Sequence, residues 1–255
     1  MTDKKTIKNK HVVACSGGKD SVATILTALK YNEPLDEVTW VEVMFDKETS
    51  GEVPEHRNFV YCSLKPFCEK NGIRFTVLHS PKTYDDVFHH IFTKGKNTGG
   101  KHGFTWPRRC AVNRDCKLKA MNEYKRREQK HLVFYLGIAA DEKKRLKRLN
   151  KTTNISLLEK YNLTEVDAFN LCQKNNLLSP VYKLTKRNGC WFCPNAKNTE
   201  LLHLLNYHVD LFDKLVEWGN EENVVNKFFN LRETPLEIKA RLLSANDSRQ
   251  EIKAS

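Results

Sequence analysis

Two short stretches carry residues whose types and spacing could do chemistry. The first is Ser16-Gly17-Gly18-Lys19-Asp20-Ser21, between the apolar run Val12–Cys15 and a segment with Val22, Ile25, Leu26 and Leu29 at helical spacing. A strand leading through Gly-Gly into a helix is a geometry for gripping an anion. Glycines let the backbone approach closely, and the first helical N–H groups and the helix dipole favour negative charge. Ser16 and Ser21 add hydroxyl donors, Lys19 adds a positive charge, and Asp20 can reach a magnesium ion. The spacing is neither that of a Walker loop nor that of the dinucleotide Gly-x-Gly-x-x-Gly turn. The plain alternative is a tight turn with an ordinary helix cap.

The second stretch is Cys190-Trp-Phe-Cys193-Pro. Two thiolates at this spacing chelate one metal ion or cluster, but zinc and a [4Fe–4S] cluster each want about four ligands. The other plausible pair is Cys110 and Cys116 in "WPRRCAVNRDCKLK". Buried free thiols, zinc and iron–sulfur all remain open on spacing alone. Cys15, Cys62, Cys68 and Cys172 lie in apolar or helical contexts and read as packing residues. The histidines form no His-x-x-x-His or His-Glu-x-x-His pair.

The elements that must position these residues alternate. Strands are expected at His11–Cys15, Val38–Phe45, Ile73–Leu78 and Leu132–Ala139, and helices at Asp20–Lys30, Pro54–Glu69, Tyr84–Phe92 and Asp115–Lys130. That order predicts an α/β fold, a Rossmann-like parallel sheet with helices on both faces. Beyond about Asn150 helical patterns dominate. The expected division is a nucleotide-binding core over residues 1–150 and a mostly helical extension over 151–255 that carries the Cys-x-x-Cys. Thr93–Gly103 is rich in glycine and lysine and reads as a mobile loop able to close over a site.

The chain has 255 residues, 43 Lys plus Arg against 31 Asp plus Glu, and a formal net charge of +12. Such an excess favours polyanionic partners, nucleic acid first. Individual basic runs, such as Tyr124–His131 and Glu142–Lys151, read better as solvated helix faces, whereas the whole-chain excess does not. No apolar run approaches the ~18 residues of a membrane helix, and no secretory signal is evident. A cytoplasmic protein with reduced thiols and no membrane partner is expected.

Ser-Gly-Gly-Lys-Asp-Ser resembles the pyrophosphate-binding loop of the PP-loop ATP pyrophosphatase (adenine nucleotide alpha hydrolase-like) superfamily. "VMFDKETSGEVPEHRNFV" (Val43–Val60) is similar to the segment after the second strand in phosphoadenosine phosphosulfate (PAPS) reductase-like proteins, with Asp46, Gly51, Pro54 and Glu55 at the matching places. "GIAADEKKRLKR" (Gly137–Arg148) resembles the stretch after the fourth strand, with Gly137, Asp141, Glu142 and Arg145. The segment around Cys110 resembles the one that, in the iron–sulfur branch, joins a distant Cys-x-x-Cys to bind a [4Fe–4S] cluster. Arg114 and Lys117 fit the basic residues that follow, whereas Cys116 falls on no standard position.

The resemblance implies ATP with Mg2+ as ligands and Ser16, Gly17, Gly18, Lys19, Asp20 and Ser21 at the phosphates. It implies Asp46 on the adenosine side and Arg109, Arg114, Lys117 and Arg145 as cations for phosphate or transition-state charge. It implies a [4Fe–4S] cluster on Cys110, Cys116, Cys190 and Cys193, or on Cys110, Cys190 and Cys193 alone, which leaves one iron open to hold sulfide. Zinc is the alternative metal. The function so implied is an ATP-dependent, AMP- and pyrophosphate-forming sulfurtransferase of the PAPS reductase family. It would adenylate a substrate oxygen and replace it with sulfur from a donor, on tRNA or DNA as substrate. A PAPS or adenylylsulfate reductase is the second reading, but its C-terminal cysteine has no counterpart after Cys193. A non-enzymatic nucleotide-binding module with structural zinc is the third.

Overall fold

The structure is a computed structural model and describes residues 9–107, 110–128, 131–185, 189–230 and 232–254. Seven strands form among them: β1 (Lys10–Cys15), β2 (Glu37–Val41), β3 (Arg74–Leu78), β4 (Lys101–Gly103), β5 (Leu132–Leu136), β6 (Asn154–Ile155) and β7 (Val224–Asn226). Five make a parallel sheet in the order β3-β2-β1-β5-β6, and β4 pairs with β7. The expected α/β fold forms, and its C-terminal part is mostly helical.

The chain divides into two compact units. One comprises Met1–Glu42, Pro54–His79 and Ala120–Asn188, and the other Val43–Val53, Ser80–Lys119 and Gly189–Ser255. This differs from the expected boundary at residue 150. Ala168 and Cys172, on the helix Glu165–Lys174, pack into the core formed by the sheet and the helix Lys19–Lys30. Val43, Phe45, Tyr84, Phe88 and Phe104 instead pack with Trp191, Phe192 and Phe212 in a separate aromatic core. Local pattern shows that these residues are apolar, not which remote surface they cover.

In the first unit, alternation along β1 sorts the two faces of the sheet. Val13 and Cys15 join the core with residues of the helix Lys19–Lys30 and of the helical stretch after Pro54. Val12 and Phe134 pack with Ala120 and Tyr124 of the helix Lys119–Arg127. Helices therefore cover both faces. The helical stretch after Pro54 is broken by a π turn at Val60–Leu64, just before Pro66, which has no N–H to donate.

In the second unit, the glycine-rich segment expected as a mobile loop is anchored at its end. Lys101 pairs with Val224 and Gly103 with Asn226, and Lys101 Nζ lies 2.8 Å from Glu221. β2 stops at Val41, so Asp46 lies in a turn rather than at a strand end. Among the described residues no helix is long and apolar enough to cross a membrane.

Candidate functional site

In the first unit, the chain leaves β1 through Gly17 at φ +72°. This left-handed conformation costs a residue with a Cβ, and a Cβ there would lie 2.7 Å from His56 Cε1. His56 is fully buried. Its Nε2 faces the Ser16 carbonyl at 3.0 Å, and a carbonyl can only accept. In the neutral ring Nδ1 then accepts from Ser179 Oγ, 2.8 Å away. Ser21 Oγ donates to the Gly18 carbonyl at 2.9 Å and accepts the Ser16 N–H at 3.2 Å. The Gly18 N–H donates to Ser16 Oγ at 3.3 Å. The two serine hydroxyls, read from sequence as ligand donors, thus also hold the shape of the turn.

The helix Lys19–Lys30 starts with Gly18 as its N-cap and no side-chain capping bond. The Lys19 N–H donates to Tyr182 Oη at 2.9 Å, and the Asp20 and Ser21 N–H groups have no acceptor among the described residues. Gly137, just past β5, admits this backbone closely: a Cβ on it would lie 2.6 Å from Ser21 N. The turn sits at the carboxyl end of β1 beside β5, where the strand order reverses. Ligands of open parallel sheets bind in that crevice.

Three carboxylates gather here. One oxygen each from Asp20, Glu142 and Glu165 lie within 4.8 Å of one another. Lys19 Nζ stands 2.7 Å from Asp20 and 3.3 Å from Glu165. Burial raises the Asp20 carboxyl above its ordinary value; Lys19 opposes this, while Glu165 and Glu142 add to it. Burial alone would lower the Lys19 ammonium, but Asp20 and Glu165 outweigh it and raise it. Glu142 is held by the Ala139 N–H at 3.0 Å and by Arg145 at 2.6 Å. Oxygen-only donors of this kind suit Mg2+, and the Lys19 ammonium pairs with two of them.

The cysteines lie in the second unit. Cys190 pairs across a short antiparallel bridge with Glu52, and the Trp191 N–H donates to the Gly51 carbonyl at 3.1 Å. Gly51 is needed for close approach, since a Cβ would lie 2.6 Å from the Phe192 ring. Glu52 is 3% exposed, and its Oε1 is buried with no hydrogen-bond donor among the described residues; Lys117 Nζ lies 3.8 Å away. The Lys117 ammonium is raised by Glu52 first, against burial, and then by Cys190, Cys110 and Cys193. The Tyr84 phenol is raised by burial and by the same three thiols. Cys110, Cys190 and Cys193 thus act on the same two groups, Lys117 and Tyr84, and Cys110 acts on Cys116 as well.

Cys116 is turned away into the aromatic core. Its thiol donates to the Thr83 carbonyl at 3.7 Å, and burial raises it to about 11. Burial also raises the Cys190 thiol, which Lys117 opposes. Among the described residues no three of these sulfurs lie within 4.8 Å of one another.

The remaining expected residues are engaged elsewhere. Asp46 accepts the Glu48 and Thr49 N–H groups at 2.9 and 2.6 Å and meets Lys214 at 3.0 Å. Arg114 is exposed and paired with Asp115 at 2.6 Å. Arg109 lies outside the described residues. His56, Ser179, Tyr182, Glu165 and Glu52 were not singled out from sequence. Only Glu52 carried a local signal, its place beside Gly51 in the Gly-Glu-Val-Pro-Glu run.

No family model matches the chain, and no curated protein matches it. Among solved structures, it is similar to the U34-tRNA thiolase NcsA from Methanococcus maripaludis with its [4Fe-4S] cluster. The TM-score is 0.42 and the sequence identity 17%, over 84% of this chain and 69% of that one.

Proposed function

We propose that the chain is an ATP-dependent sulfurtransferase of the PP-loop, PAPS reductase-like kind. The observation that carries this is the Ser16–Ser21 turn. Its backbone is fixed by its own serines and by His56, its helix offers N–H groups without acceptors, and three carboxylates stand beside it at the switch point of the sheet.

In the reaction, an acceptor oxygen attacks the α-phosphorus of ATP, the α–β anhydride breaks and pyrophosphate leaves. Sulfide from a donor then displaces AMP from the adenylated acceptor. The turn holds the β- and γ-phosphates with backbone N–H groups. Asp20, Glu142 and Glu165 supply oxygens for Mg2+, and Lys19 is released from them to the phosphates. The burial that raises Asp20 is the strain a divalent cation relieves.

Cys110, Cys190 and Cys193 are soft donors of the kind a [4Fe–4S] cluster takes, and all three act electrostatically on Lys117. When bound, the cluster supplies a place where sulfur is held for transfer. Lys117, oriented by Glu52, offers positive charge to these thiolates. Cys116 is left to packing, and Arg145 serves by holding Glu142. The net charge of +12 supports a nucleic-acid acceptor such as tRNA or DNA.

Product identity tests the reading. Anaerobically prepared protein given Mg-ATP, sulfide and RNA or DNA should form AMP and pyrophosphate, and Asp20→Ala should not. ADP and phosphate as the products would overturn it.

A further inference from the structure

The anion site as the sequence motif defines it stops at Ser21. The structure brings a second segment to it. The turn Pro180–Lys183 meets the motif at Lys19, and the residue before it reaches Ser16 through His56. Ser179 holds His56, which holds the Ser16 carbonyl, and Tyr182 Oη accepts the N–H of Lys19.

The Tyr182 contact uses one lone pair of the phenol and leaves its proton free. No acceptor for that O–H exists among the described residues. Tyr182 lines a cavity of about 340 Å³ whose other walls include Lys19, Glu165, Val166 and Phe169. The Phe169 ring meets the Tyr182 ring edge-on at 6.4 Å, which limits the phenol's swing. A phenol that accepts from the positive end of a helix is polarised, so its O–H is a stronger donor. An outward donor, fixed at its oxygen and placed at the N–H of Lys19, is a ligand for an anion.

We propose that Tyr182 is a phosphate-binding residue: its hydroxyl, held by the Lys19 N–H, donates to a non-bridging oxygen of the bound polyphosphate. This rests on the reading of Ser16–Ser21 as a polyphosphate site. The site would then select phosphate oxygens with one side-chain donor that lies 161 residues beyond the motif's last serine.

The probe is inorganic pyrophosphate with Mg2+, titrated calorimetrically into the full chain. Tyr182→Phe removes only the hydroxyl and should raise the Kd about tenfold, as expected for a hydrogen bond to a charged acceptor. Its thermal midpoint should stay near that of the wild type, which separates binding from a structural role. An unchanged Kd would overturn the proposal and leave the phenol as a cap for Lys19. Tighter binding would also overturn it, because the phenol would then be competing with phosphate for that N–H. Wild-type protein that binds no pyrophosphate would sink the polyphosphate reading itself, and this proposal with it.

Discussion

The two candidate sites are built on opposite principles. At the turn of the first unit, nearly every polar group already has a partner: Ser16, Ser21, Gly18, His56 and Ser179 satisfy one another. At the thiols of the second unit, a buried Glu52 oxygen has no hydrogen-bond donor among the described residues, and Lys117 Nζ stands 3.8 Å from it. The backbone of the first site is preorganised, so that a ligand need displace only the Lys19 side chain from its carboxylates. The second carries unmet electrostatic demand, so what binds there should also stabilise the unit.

The largest expected effect breaks the preorganised side. Gly17→Ala forces a Cβ into a left-handed position and against the His56 ring. We expect a loss of about 3 kcal/mol in urea melts and no detectable pyrophosphate binding. His56→Ala in that background removes the ring contact but leaves Val60 Cγ2 2.9 Å from the new Cβ and the backbone strain in place, so it should recover only part of the stability.

The next effect comes from pH and belongs to the first unit's core. Burial raises the Cys68 thiol from 9.0 to about 12, and the folded state keeps its proton longer than the unfolded chain does. That stability is fully present below pH 9 and is lost as pH rises towards 12. Wild type should lose about 2 kcal/mol more than Cys68→Ala between pH 8 and pH 11.

The fold was legible where the chemistry is local. β1, β5 and the helix after Gly18 follow from β-branched runs and helical spacing, and the Ser16–Ser21 turn from its glycines. Tyr182, Glu165 and Ser179 were not legible, because they meet Lys19, Lys19 and His56 across 163, 146 and 123 residues of chain. The unit boundary was hidden for the same reason: Phe45 reads as a strand residue but is buried with Trp191 and Trp218. Cys116 looked like a ligand by spacing alone, and only the direction of its thiol separates it from Cys110.

Two smaller effects sharpen the comparison. Glu52→Gln should cost about 1–2 kcal/mol in metal-free protein, discounted because Lys117 is partly exposed. Combined with Lys117→Met the cost should fall rather than add, and a double-mutant cycle by urea denaturation reads that coupling. Arg145→Ala removes an exposed partner of Glu142. It should change stability by under about 0.5 kcal/mol, while weakening Mg2+ binding measurably by calorimetry.

The most direct test of the account is the iron and acid-labile sulfide content, with the absorption spectrum, of protein reconstituted without air. Wild type and Cys116→Ser should each be brown with about four iron and four sulfide per chain, and Cys110→Ser should lose both. Stoichiometric zinc without sulfide, or equal loss in Cys116→Ser and Cys110→Ser, would contradict it.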